Sequence, residues 1–261
     1  MSPNSIRNPS SSDAGKFKIL SIDWDFFFPD STPYDWGHRE SPLFIDMLWS
    51  TRTASHNPFT KKSVIEEYRP EVPKDFWRIV TNRPSRLLMA ESHCHIFDLL
   101  IFPEPAEVVN LDAHHDLGYG PGDKDLNCIH AGNWVWAAKK MKCVSSYTLC
   151  YPEWRRGHEE PRKKDKTKVV YGLPEPAEYD MVFICRSGAW TPPWYDDQFW
   201  MLTEGAMSGS RDTHVELHKR ELTMATALKL RKKDEKVFAQ LRGVTSMPAS
   251  KFVDGMVEAK A

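Results

Sequence analysis

The sequence predicts an α/β fold in three layers, with a mostly parallel central sheet flanked by helices. Three observations predict it. Short runs rich in Val, Ile, Leu, Phe or Tyr recur at residues 17–22, 86–90, 107–111, 147–151 and 181–185. Several of them carry apolar residues on both faces, as strands of a covered parallel sheet do. Helical patterns stand between the runs, and that alternation over 261 residues suits a parallel sheet with crossover helices.

Taken in order, residues 1–15 are rich in Ser, Asn and Pro, lack the basic–apolar–small layout of a signal peptide and read as a flexible tail. The first strand, 17–22, runs into Asp23 and an aromatic block. Residues 30–84 scatter Pro and Trp through polar sequence without a convincing strand and read as an insertion or loops. Strand 86–90 leads to a helix over 95–102, strand 107–111 to a helix over 131–142, and strand 181–185 to a helix over 195–207. Residues 155–168 carry seven cations against three carboxylates and read as a solvated loop. A last helix is expected over 215–242, with Met224, Leu228, Val237, Phe238 and Leu241 packing onto the sheet. Residues 16–261 are accordingly expected to form a single domain.

Composition excludes several classes. A net charge of −1 argues against a general nucleic-acid binder. With 27% charged residues and no long apolar run, a membrane-spanning helix is not expected. The five cysteines are odd in number and form no CxxC pair. They read as reduced thiols of a cytoplasmic protein, with neither a disulfide framework nor a thiolate zinc site. Ten Trp and thirteen Phe supply a core and the wall of a cleft.

Three polar clusters follow apolar runs. In Asn110-Leu-Asp-Ala-His-His-Asp-Leu-Gly118, the strand runs straight into Asp112, His114 and Asp116. Positions i, i+2 and i+4 of an extended chain share a face, so three ligand-type side chains converge where ligands of open α/β sheets bind. A polar loop is the plain alternative, but convergent ionisable groups beside an apolar strand are costly without a cation. In Ser21-Ile-Asp-Trp-Asp25, Asp23 and Asp25 form a second such set, with a helix-capping turn as the alternative. In Glu91-Ser-His-Cys-His95, either His93 or His95 can complete a metal shell, and His93 lies closer to the strand end. Four Asp and one or two His suit Mn²⁺ or another hard-to-borderline divalent ion. Four carboxylates leave excess negative charge around one cation, and two cations balance them. Such a pair lowers the pKa of a shared water, the basis of metal-assisted hydrolysis.

These residues resemble a family. Asp112-Ala-His-His-Asp116 is similar to the DAHxD motif of the manganese ureohydrolases, the arginases and agmatinases. Ser21-Ile-Asp-Trp-Asp25 resembles their SxDxD motif, Glu91-Ser-His93 stands in place of their GGDH segment, and Asn127-Cys-Ile-His130-Ala-Gly132 resembles the NLHG segment downstream of DAHxD. The order differs, since the DxD set comes first here, as in a circular permutation, and the GGDH glycines are missing. The permuted order and the aromatic contexts resemble most the peptide arginases of ribosomal peptide pathways.

The resemblance implies an arginase/deacetylase-like fold and two Mn²⁺ held by Asp23, Asp25, His93, Asp112, His114 and Asp116. It implies hydrolysis of arginine side chains in a precursor peptide to ornithine and urea, with His130 moving a proton to the leaving amine and Asp116 part of the catalytic centre. His115 alternates with the ligands and is expected to point away. Expected substrate contacts are Glu91 to the guanidinium, Asn127, and Arg186 and Trp190 from the loop after strand 181–185, with Trp194 beside them. The expected partner is an arginine-containing peptide, with neither nucleic acid nor membrane, and a homo-oligomer is left open. Three rivals stand beside it: a ureohydrolase of free arginine, agmatine or another small guanidine, a deacetylase-like amidohydrolase, and a non-catalytic peptide-binding module.

Overall fold

A computed structural model describes residues 17–34, 44–100, 104–158, 161 and 165–245, without the side chains of 121 and 238–245. The expected N-terminal tail, residues 35–43 of the expected insertion and residues 159–160 and 162–164 of the cationic loop lie outside the described residues, as do Phe238 and Leu241 as side chains.

The strands are β1 (Lys18–Asp23), β2 (Arg86–Ala90), β3 (Ala106–Leu111), β4 (Val144–Tyr151), β5 (Lys168–Tyr171), β6 (Met181–Cys185) and β7 (Asp212–Glu216). The helices are α1 (Ile45–Arg52), α2 (Val64–Glu67), α3 (Phe97–Leu100), α4 (Trp134–Lys140), α5 (Asp196–Gly209) and α6 (Met224–Thr245). The seven strands form one sheet in the order β5-β4-β3-β1-β6-β2-β7. Every pairing is parallel. This is the α/β architecture expected, and the central strands β1, β2 and β6 are buried along almost their whole length.

Register sets the working edge of the sheet. Ile22 pairs with Leu111 on one side and Ile184 on the other, and Cys185 pairs with both Asp23 and Ala90. The carboxyl ends of β3, β1, β6 and β2 are therefore level, and the residues that follow them emerge side by side. Alternation puts Ile19, Ser21 and Asp23 on one face of β1. On that face Ile19, Leu88, Val108, Phe183 and Trp134 belong to one buried apolar cluster.

Contacts divide the chain into two compact units. The first, residues 17–27, 71–187 and 198–218, holds the whole sheet. The aromatic block after β1 is core there: Phe27 packs edge-on to Phe76 at 5.0 Å and Trp24 to Phe199 at 5.7 Å. The second unit joins residues 28–34 and 44–70 to 188–197 and 219–245. Its α2 opens after Ser63, whose N–H donates to Glu66 Oε2 at 3.0 Å. Trp49 donates to the Gly188 carbonyl at 2.7 Å and meets Trp194 edge-on at 5.5 Å. Arg52 lies over the Trp49 ring and bonds the Ala189 carbonyl, and burial pushes its pKa down to about 10.

Two expectations are corrected. Residues 215–242 are not one helix: Val215 belongs to β7, and α6 starts at Met224. The strand DTHVE is an exposed sheet edge with one large apolar residue, which hid it from a reading based on apolar runs. On α6, Leu228 and Val237 are exposed and Ala227 is buried, so the expected apolar stripe is not the buried face. The cationic stretch 155–168 also ends in a strand, since Lys168 opens β5. Among the described residues, 30–84 carries α1, α2 and no strand of the sheet. No described helix is long and apolar enough to cross a membrane.

Candidate metal centre

Asp23 ends β1, and Asp25 stands two residues on, in a tight helical turn where its N–H donates to Asp23 Oδ1 at 3.0 Å. On the neighbouring strand, Asp112 follows β3, and His114 and Asp116 come from the loop beyond. Asp116 has a positive φ of 50°, a bend that turns its carboxylate inward and that Asp tolerates better than most residues. His93 reaches the same place from the turn after β2.

The six side chains predicted as ligands converge. His93 Nδ1 lies 3.2 Å from Asp23 Oδ2, 3.2 Å from Asp112 Oδ2 and 3.5 Å from Asp116 Oδ2. His114 Nδ1 lies 2.8 Å from Asp25 Oδ2 and 3.7 Å from Asp112 Oδ1. Asp112 thus belongs to two donor groups at once, Asp25–Asp112–His114 and His93–Asp112–Asp116. Of the two candidate histidines, the structure brings His93 to the cluster and leaves His95 outside it, exposed.

The cluster is held by residues the sequence reading passed over. Ser21 Oγ meets His93 Nε2 at 2.7 Å, which directs Nδ1 at the carboxylates. Trp134 opens α4, stacks on the His93 ring at 4.8 Å and donates its indole N–H to Asp116 Oδ2 at 2.7 Å. Asn110 donates to Asp112 Oδ2 at 3.0 Å and also contacts the Tyr147 hydroxyl. The Cys185 thiol lies within ligand distance of Asp23 and His93, and donates to the Glu91 carbonyl at 3.4 Å. Register carried the missing signal, since Cys185 pairs directly with Asp23.

Electrostatics define what the cluster lacks. Burial, with Asp25 and Asp112 nearby, pushes Asp23 well above the usual carboxylate range, and burial with Asp112 does the same to Asp116. Burial disfavours a charged His93, but Asp112 and Asp23 outweigh it and hold that ring protonated. His114 is likewise raised to about 9, burial being overcome by Asp25. Burial opposes charge on Asp112 too, and His93 and His114 still draw it below its ordinary value. Protons here compensate a surplus of negative charge. His93 Nδ1, buried among three carboxylate oxygens, makes no hydrogen bond of acceptable geometry. An orphaned donor atom in a cage of four Asp and two His fits a pair of divalent cations.

The other predicted residues make contacts of their own. Glu91 and Arg186 are buried and paired with each other: Arg186 Nε donates to Glu91 Oε2 at 3.1 Å, and its Nη2 bonds Glu91 Oε1 and the His218 carbonyl. Glu91 also accepts the His218 N–H at 2.9 Å. His130 is exposed. Its Nδ1 accepts the Gly132 N–H at 3.2 Å, which leaves the ring proton of the neutral form on Nε2, 3.7 Å from Asp123 Oδ1. Asn127 is exposed and bonds Asp125 at 2.9 Å. His115 stacks on Tyr119 at 4.3 Å and accepts the Leu117 N–H. Trp190 is half-buried in the second unit, where its carbonyl accepts from Tyr68, and Trp194 is buried there.

Comparison of the chain with models of protein families, with curated proteins and with solved structures finds no match. The functional reading accordingly rests on the residues of the site and on their motifs.

Proposed function

We propose that the chain is a binuclear-manganese hydrolase of guanidino groups, converting arginine side chains of a peptide to ornithine with release of urea. The observation that carries this reading is the position of Asp112, shared between a His93 group and a His114 group at the level ends of adjacent parallel strands. The DAHHD and DWD segments are brought to neighbouring strands although their chain order is permuted, which is what a permuted ureohydrolase requires. Asp23, Asp25, His93, Asp112, His114 and Asp116 would hold the two Mn²⁺, which supply a water of lowered pKa and Lewis-acid polarisation.

The protein's own residues divide the remaining work. Ser21 and Trp134 orient His93 and Asp116. His130, as the imidazolium, would deliver a proton from Nε2 to the leaving amine and be left as neutral imidazole. The loop that carries it is fastened to the DAHHD loop, since Gly118 N–H donates to the Gly132 carbonyl at 2.9 Å and Val135 N–H to the Asp116 carbonyl at 3.1 Å. Among the described residues the five cysteines form no disulfide, which suits the reducing, cytoplasmic setting proposed for such an enzyme.

One observation favours a rival. Glu91, the carboxylate assigned to the guanidinium, already holds Arg186, and an amidohydrolase with the same cage needs no such carboxylate. A single assay separates the readings. The Mn²⁺-loaded protein is offered an arginine peptide, free arginine, agmatine and an acetyl-lysine peptide, with Asp112→Ala as control. Urea from the arginine peptide, with a loss of about 42 Da per arginine, and at least a 100-fold drop in Asp112→Ala support the proposal. Urea from small guanidines alone moves the reading to an ordinary ureohydrolase. Acetate release without urea replaces it with the amidohydrolase.

A further inference from the structure

Outside the buried cage, a second set of metal-type side chains gathers on the sheet edge. His95 Nδ1 lies 3.3 Å from Glu216 Oε2, and ligand atoms of His95, Asp98 and Glu216 all lie within 4.8 Å of one another. His214 Nε2 sits on the other oxygen of Glu216, at 2.8 Å. We propose that His95, Asp98 and Glu216, with His214 alongside, form a surface site for a borderline divalent cation of the Zn²⁺ type, separate from the buried cage.

Local geometry brings these residues together. His93–Ile96 is a 3-10 turn leading directly into α3. Residues i and i+2 of such a turn point to different sides, while i and i+3 are nearly eclipsed. The turn that buries His93 therefore turns His95 outward, and Asp98 three residues on stands on the same side as His95. Glu216 and His214 share a face of β7. Parallel pairing of β7 with β2 sets Glu216 opposite Ala90, so β7 ends beside the start of that turn. Two sequence-distant segments thus contribute an imidazole and a carboxylate each.

The donor set is one that zinc uses. Imidazole and carboxylate bind Zn²⁺ at about 2.0–2.2 Å, so neighbouring ligands of a tetrahedral site stand about 3.4 Å apart. The His95–Glu216 separation of 3.3 Å already has that length. The side chains of His95, His214 and Glu216 are 43%, 51% and 39% exposed, so cation entry needs no opening of the fold and small rotations close the remaining distances. Bound there, the cation would tie the edge strand β7 to the turn that carries His93. The site would then be a clamp on a segment shared with the buried cage.

The test counts zinc. Native protein and the variants His95→Ala, Glu216→Gln and Asp112→Asn are freed of metal by chelation, dialysed against buffered Zn²⁺ and assayed for bound metal. His95→Ala and Glu216→Gln are expected to bind one equivalent fewer than native protein, while Asp112→Asn keeps that equivalent. In parallel, Zn²⁺ should protect His95 and His214 from diethylpyrocarbonate in native protein, and His214 should lose that protection in His95→Ala. Equal zinc in native protein and His95→Ala, or no protection of either histidine, would overturn the proposal. Because Asp112→Asn reports on the cage, failure of the cage to bind metal is read separately. Both edge substitutions are at exposed positions, and far-ultraviolet circular dichroism verifies that the variants are folded.

Discussion

Asp112 gathers the chemistry of this protein because it faces a histidine on either side, His93 at 3.2 Å and His114 at 3.7 Å. Its neighbours matter nearly as much. Trp134 both stacks on His93 and donates to Asp116, so one side chain orients a ligand from each of two loops. Trp134→Phe keeps the packing and removes the donor. It is expected to weaken metal binding about 10- to 100-fold, the usual cost of losing an outer hydrogen bond to a ligand. Isothermal titration with Mn²⁺ measures this, and unchanged affinity would remove Trp134 from the site. Glu91 and Arg186 set a different kind of question. Buried and mutually bonded, they predict that Arg186→Met, which leaves Glu91 without its charge partner, costs about 3–5 kcal/mol of stability. The double variant Glu91→Leu, Arg186→Met should recover most of that loss in urea denaturation. A single variant with native stability would instead mark both residues as substrate contacts.

Among the elements, the strands are the simplest to explain. β1, β2 and β6 are buried on both faces, so their sequences are nearly continuous apolar runs and were legible as such. β5 and β7 sit at the two sheet edges, where one side lacks a strand neighbour in the sheet order; β5 is only four residues long and β7 is largely polar, so neither carries much pattern. The helices show the reverse problem. On α6 the expected stripe leaves Leu228 and Val237 exposed, because periodicity tells which residues share a face and not which face is covered. Helix α5 is tied down by Trp77, which donates to the Leu202 carbonyl at 2.8 Å and lies flush against Gly205. A methyl group at Gly205 would run into the indole. An overpacking cost of about 2–3 kcal/mol, less the roughly 1 kcal/mol gained in helix propensity, leaves Gly205→Ala destabilised by about 1–2 kcal/mol. A lowered denaturant midpoint is the expected reading, and a raised one would show that Trp77 moves aside freely.

For the molecule as a whole, the cage predicts a stability that depends on pH and, with the proposed cations, on metal. The folded metal-free protein holds a proton on His114 up to about pH 9, because Asp25 beside it overcomes the penalty of burial. An unfolded histidine loses its proton near 6.5. Between those values the folded state binds more protons than the unfolded one, so stability must fall as pH rises. The slope is about 1.4 kcal/mol per pH unit for each such proton, and His93, raised by Asp112 and Asp23 against burial, acts in the same direction. Urea melts of chelator-treated protein at pH 6.5, 8 and 9 should show the decline. With Mn²⁺ bound the decline should vanish, since a cation replaces the protons and binds more tightly as they leave. A flat profile without metal would show that the histidines are not held as cations.

The fold class and five of the six cage residues, Asp23, Asp25, Asp112, His114 and Asp116, could be read from the chain alone for a common reason. A strand that ends in alternating Asp and His writes its direction and its chemistry in consecutive residues, and no distant contact is needed to see either. Residues 86–90 and 181–185 likewise coincide with β2 and β6 as found. Selection of His93 over His95 needed the 3-10 turn, which buries one and exposes the other. The pairing of Glu91 with Arg186 needed the parallel register of β2 on β6, because the two stand 95 positions apart in sequence. Trp134 and Cys185 joined the cage through tertiary contacts too, one from the start of α4 and the other as the strand partner of Asp23. Local pattern specifies what one segment can offer, whereas juxtaposition depends on packing between segments, and no window of sequence contains that.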